Sequence, residues 1–127
     1  MGKPVIHPPG VSSTQFESML DSLSPSEFEF YPADGSTHMV PDTDALLINV
    51  LLWPDAALDD LQLILPPIKA GRRVFIYTDK AVAQLTITSA EVGVTVANSS
   101  VSLSANDLIV FNTVSTTNKL WARVATS

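Results

Sequence analysis

A chain of 127 residues with no cysteine and a formal net charge of −6 holds one domain plus an extension, and it excludes disulfides and thiolate metal sites. The acidic balance argues against nucleic acid as a partner. The longest apolar run, Ala45 to Trp53, falls far short of the ~20 residues of a membrane-spanning helix, and the start MGKPVIHPPG lacks the apolar core of a signal peptide.

Proline and charge are unevenly spread. All nine prolines lie in residues 1–67, with ten of the thirteen acids and one base, Lys3, a balance of 1 − 10 = −9. Residues 68–127 carry six bases against three acids, or +3. An acidic front and a basic back either attract each other, within or between subunits, or form two solvated faces.

Residues 1–12 read as an arm. Pro4, Pro8 and Pro9 remove backbone donors and hold their neighbours extended, and the apolar pair Val5 and Ile6 has no use unless something covers it. A short helix is expected over Gln15 to Leu23. Thr14 caps it, Glu17 completes a capping box, and Phe16, Met19, Leu20 and Leu23 fall on one face. So short a helix must dock on its own domain or on a partner. Ser24 to Glu27 carries a second helix-start signal, yet Glu27 to Tyr31 alternates like an edge strand. Pro32 to Gly35 is a turn and Pro41 to Asp44 a loop, so residues 1–43 form the arm region.

The body is expected over residues 44–127. Ala45 to Trp53 is apolar on both faces, as in a strand covered on both sides. Further strands fall at Leu61, Leu63 and Leu65, then at 73–78, 83–88, 92–97, 101–103, 108–113 and 120–125. Turns every 8–12 residues suit a sandwich or barrel. There is also an internal repeat. Val50 to Leu58, with Leu61 and Leu63, aligns at one constant spacing with Val74 to Val82, with Leu85 and Ile87. Each copy reads strand, turn, strand, which suits consecutive antiparallel strands. The expected fold is therefore all-β: an antiparallel β-sandwich or barrel-like module with an extended N-terminal arm and a short helix.

Nothing in the sequence forms a catalytic, cofactor or metal constellation. His7 and His38 sit in loop-like segments without a nucleophile signature. Asp42 with Asp44, and Asp59 with Asp60, fall short of a calcium loop. Gly71 before Arg72 and Arg73 is not a phosphate loop, and the two arginines read as solvated charges that discourage edge pairing. Trp53 and Trp121 suit core or subunit-interface burial better than sugar stacking.

The segments Leu61 to Pro67, Gly71 to Asp79 and Ala83 to Thr88, with the closing Leu108 to Phe111 and Asn118 to Val124, resemble a β-module of tailed-bacteriophage virion proteins. Capsid decoration (cement) proteins, head fibres and fibre tips carry it. The resemblance covers residues 61–124 and departs at Glu91 to Val94, where such modules are richer in glycine. It implies a non-enzymatic homotrimer on the outer capsid surface of the virion, made in the host cytoplasm. Its partners would be the major capsid protein and itself, with no cofactor, nucleic acid or membrane. On that basis Val5, Ile6, Phe16, Met19, Leu20 and Leu23 contact shell or neighbour, and Trp53, Tyr77 and Trp121 anchor the subunit interface. The alternative is a fibre-tip or head-fibre module that recognises host carbohydrate.

Overall fold

The computed structural model describes residues 24–124, and the expected arm contacts and short helix lie outside them. All the regular structure described is β: β1 (Ser26–Phe30), β2 (Thr37–Met39), β3 (Leu47–Leu52), β4 (Leu61–Leu65), β5 (Arg73–Thr78), β6 (Val82–Ser89), β7 (Thr95–Ala97), β8 (Ser100–Leu103), β9 (Leu108–Ser115) and β10 (Leu120–Arg123). Odd and even strands alternate between two sheets up to β6. The large sheet runs β1-β3-β5-β9-β10-β7 and the small sheet β2-β4-β6-β8.

The first six strands correct the expectation of antiparallel hairpins. β1, β3 and β5 pair in parallel, as do β2, β4 and β6. The chain therefore climbs as a solenoid-like stack, crossing between the sheets twice per coil. In the large sheet Ser26 pairs with Ile48, and Ile48 with Val74, so these three stack in successive coils. In the small sheet Leu61 pairs with Leu85 and Leu63 with Ile87, the same pairs that the sequence repeat aligns. That repeat is thus one coil of a stack. In the large sheet it slips by two positions, because Val50 pairs with Ile76 and not Val74. The crossing from Leu52 to Leu61 is correspondingly longer than its successor, from Thr78 to Leu85.

Antiparallel pairing appears at the far end, beside one further parallel pair, β10 with β7. β9 pairs antiparallel with β5 and β10, and β8 with β6. The turn from β8 to β9 crosses between the sheets and the turn from β9 to β10 reverses the chain within one, and both hold a residue at positive φ. Asn106 has φ 68° and Lys119 φ 52°, Asp107 Oδ2 accepts the Ser104 N–H at 2.7 Å, and Ser115 Oγ accepts the Asn118 N–H at 2.9 Å.

The core lies between the sheets. Period-two alternation turns Ile48, Val50, Leu52, Val74 and Ile76 inward from the large sheet to meet Leu61, Leu63, Leu65, Leu85 and Ile87 from the small one, all enclosed. Each such side chain contributes about 1.5–3 kcal/mol by leaving water.

Polar side chains tie one coil to the next at the corners. Asp34 Oδ1 accepts the N–H groups of both Asp59 and Asp60 at 2.9 Å, while the Gly35 N–H donates to Asp60 O at 2.8 Å. Asp34→Ala is expected to lose about 1–2 kcal/mol, the scale of hydrogen bonds to a charged acceptor, read as a lower urea midpoint at unchanged slope.

At the opposite corner Arg72 is enclosed, which corrects its reading as a solvated charge. Gly71, with φ 79°, turns the chain so that the Arg72 side chain points inward while Arg73 stays exposed. The Arg72 guanidinium donates to Pro67 O at 2.8 Å, to Ala45 O at 3.1 Å and to Thr43 O. It also meets Asp42 Oδ1 at 3.4 Å. One side chain thereby fastens the loop before β3 to the loop before β5.

Candidate interaction surface

The outward faces of the two sheets differ in chemistry. On the small sheet Thr37, Gln62, Thr86 and Ser100 form one outward row. These hydroxyls and amides suit water.

The large sheet presents apolar rows instead. Leu51, Tyr77 and Leu108 lie abreast, with Glu29 at the β1 end. Phe75 and Val110 lie abreast in the next row, with Asn49 and Glu27. Leu47 belongs to the following row, beside Arg73. Leu47, Leu51, Phe75, Tyr77 and Val110 are half-buried, while Leu108 is 52% exposed. Leaving so many large apolar groups on one sheet face costs hydration free energy that only a cover recovers.

Trp53 and Tyr77 meet on this face edge to face, with ring centroids 5.8 Å apart. Each is also fixed by a hydrogen bond. Trp53 Nε1 donates to Glu29 Oε1 at 3.1 Å, and the Tyr77 hydroxyl donates to Asn106 Oδ1 at 2.7 Å. An aromatic pair held this way is ready to pack against a partner without losing rotamer freedom.

Of the three aromatics expected at a subunit interface, Trp53 and Tyr77 thus come together on the outer face. Trp121 does not. It pairs with Thr113 beside Phe111 and faces the small sheet, fully enclosed by its own chain. Strand parity decides this: Ala122 takes the outward position. The same enclosure removes Trp121 as a platform for sugar. Val5, Ile6, Phe16, Met19, Leu20 and Leu23 lie outside the described residues. Leu47, Leu51, Phe75, Leu108 and Val110 were not singled out from sequence. Their signal was present in Ala45 to Trp53, apolar on both faces, and in Phe75 and Tyr77 alternating with Val74 and Ile76.

Of the two histidines, His7 lies outside the described residues and His38 has local partners. The His38 ring sits 5.3 Å from the Phe30 ring, and its Nε2 lies 3.0 Å from Ser36 Oγ. Among the described residues no three His, Asp or Glu side chains are placed to share a cation. A cavity of about 300 Å³ opens beside β8, lined by Val101, Ser102, Leu103, Asp107, Ile109 and Arg123 among others, and no aromatic ring lines it. No helix among the described residues is long and apolar enough to cross a membrane.

The described residues form an all-β stack of parallel coils, closed at one end by mixed strand pairing, with one outward face rich in half-buried apolar groups. Comparisons with models of protein families, with curated proteins and with solved structures find no match.

Proposed function

We propose that this protein is a structural, non-enzymatic component of a phage virion: a homotrimeric decoration protein that binds the outer capsid surface and stabilises the shell. The observation that carries the self-associating part is the outward face of the large sheet, where Leu51, Trp53, Phe75 and Tyr77 are only half-buried and Leu108 is exposed. Copies of the same chain cover it in this reading, with the paired Trp53 and Tyr77 as anchors. The virion part is supported by the resemblance over residues 61–124.

Shell contact falls to the N-terminal arm and short helix, through Val5, Ile6, Phe16, Met19, Leu20 and Leu23. Three arms on one trimer raise the effective concentration of each at its site, so weak single contacts sum to stable attachment. The work is mechanical: adjacent shell subunits are clamped against internal pressure.

Deleting residues 2–12 is expected to abolish co-sedimentation with undecorated capsids, while circular dichroism and urea stability stay those of the intact chain. Undiminished co-sedimentation would remove the arm from this role.

A further inference from the structure

The two ends of the stack differ. At the far end mixed strand pairing closes it. At the near end, β1 and β2 each pair on one side only among the described residues. The Trp53 N–H donates to Phe30 O, so the backbone groups of Phe28 and Phe30 face β3. By alternation, those of Glu27 and Glu29 face the free edge. The layer below is unfinished as well. Phe28 and Phe30 are half-buried, whereas Val50 and Leu52, stacked on them one coil further in, are fully enclosed.

Charge marks the same end. Residues 24–67 hold eight acids and neither lysine nor arginine, while residues 68–124 hold six bases against three acids. Glu27 and Glu29 both stand exposed on β1. Two β1 edges brought together would set these carboxylates against each other, which disfavours pairing with the same edge of a second copy. Among the described strands the other free edges, β2 with Thr37, His38 and Met39, β7 with Thr95, Val96 and Ala97, and β8 with Ser100 to Leu103, carry no lysine or arginine to complement them.

We propose that the free edge of β1 takes, by strand addition, an extended segment of a partner protein in which apolar and basic residues alternate. The parity of the sheet dictates that pattern. Residues beside Phe28 and Phe30 point inward and complete the apolar layer. Residues beside Glu27 and Glu29 point outward, where lysine or arginine meets carboxylate as a lateral cross-strand pair. The main-chain groups of Glu27 and Glu29 supply the hydrogen bonds, and β1 sets the length at about five residues. In naming the shell protein as the source of that segment, the inference rests on the function proposed above.

The test titrates the full-length protein with a capped peptide of alternating valine and lysine, about seven residues long, followed by backbone amide NMR. The expected result is chemical-shift change centred on Glu27 and Glu29, with binding about tenfold tighter than for the peptide carrying glutamate in place of lysine. The double variant Glu27→Lys, Glu29→Lys should reverse that preference. Equal binding of the two peptides would overturn the proposal. So would equal binding of a version N-methylated at the amides facing β1, or binding that appears only after residues 2–12 are deleted, which gives the edge to this chain's own start. Capsid co-sedimentation is read in parallel. Shell binding without peptide binding removes the edge and leaves the decoration role standing; peptide binding without shell binding keeps the edge and removes that role.

Discussion

Replacing Arg72 by methionine is expected to lower stability by about 3–5 kcal/mol, the scale of losing several charge-assisted hydrogen bonds to enclosed carbonyls at once. The side chain is enclosed, with 1% of its residue surface exposed. It donates to the carbonyls of Thr43, Ala45 and Pro67, joining two loops through one group. Methionine fills similar space but leaves these acceptors without donors, each a desolvated group with nothing to offset it. Lysine restores little, since a single ammonium cannot span the fork of a guanidinium. The control is Arg73→Met at the exposed neighbouring position, expected within about 0.5 kcal/mol of the parent. Urea denaturation followed by circular dichroism measures both. Equal midpoints for the two variants would show that the clamp contributes nothing.

The second large effect concerns association. Leu51→Glu combined with Tyr77→Glu puts two carboxylates abreast in the middle of the apolar rows. Neither side chain points into the core, where the inward neighbours Val50 and Ile76 are unchanged. The fold should survive, with unchanged far-ultraviolet circular dichroism. Self-association should fall by a factor of about a hundred or more, roughly the penalty for burying unpaired charge at an interface centre. Sedimentation velocity should show a species of 13.6 kDa. The same double change on the small sheet, Gln62→Glu with Thr86→Glu, lies on its outward polar row and should leave association intact. If both double variants associate alike, the large sheet is not the interface.

The sequence carried the all-β class, most strand positions and the inward leucines, because period-two alternation depends only on which residues avoid water. It did not carry the direction of pairing. A strand, a turn and a strand that recur further along the chain describe a hairpin array and a coiled stack equally well. Turn length does not separate them, because the crossing from β5 to β6 between the sheets takes only the three residues Asp79 to Ala81. Tight hairpins need about two to five residues, often with a residue at positive φ, as at Lys119 between β9 and β10. The turns after β1 and β3 are longer and contain Pro32 and Pro54, both enclosed, and they cross between the sheets. Arg72 was illegible for a different reason. Its neighbour Arg73 is equally charged, and only the positive φ of Gly71 decides which of the two turns in.

The candidate surface was half legible. Ala45 to Trp53 looked covered on both faces, and the described chain covers one. That remainder is the physical basis for expecting other copies, and of the three aromatics expected at the interface Trp53 and Tyr77 lie on that face. Trp121 lies in the core, one of the two places its sequence allowed, and not at the interface; the register shift between Leu120 and Trp121 sets its parity.

Light scattering on the purified full-length protein, taken as it elutes from a sizing column, tests self-association through the large sheet most directly. The expected mass is three times the 13.6 kDa of the chain, held on dilution to micromolar concentration. A mass of one chain at every concentration would contradict the account.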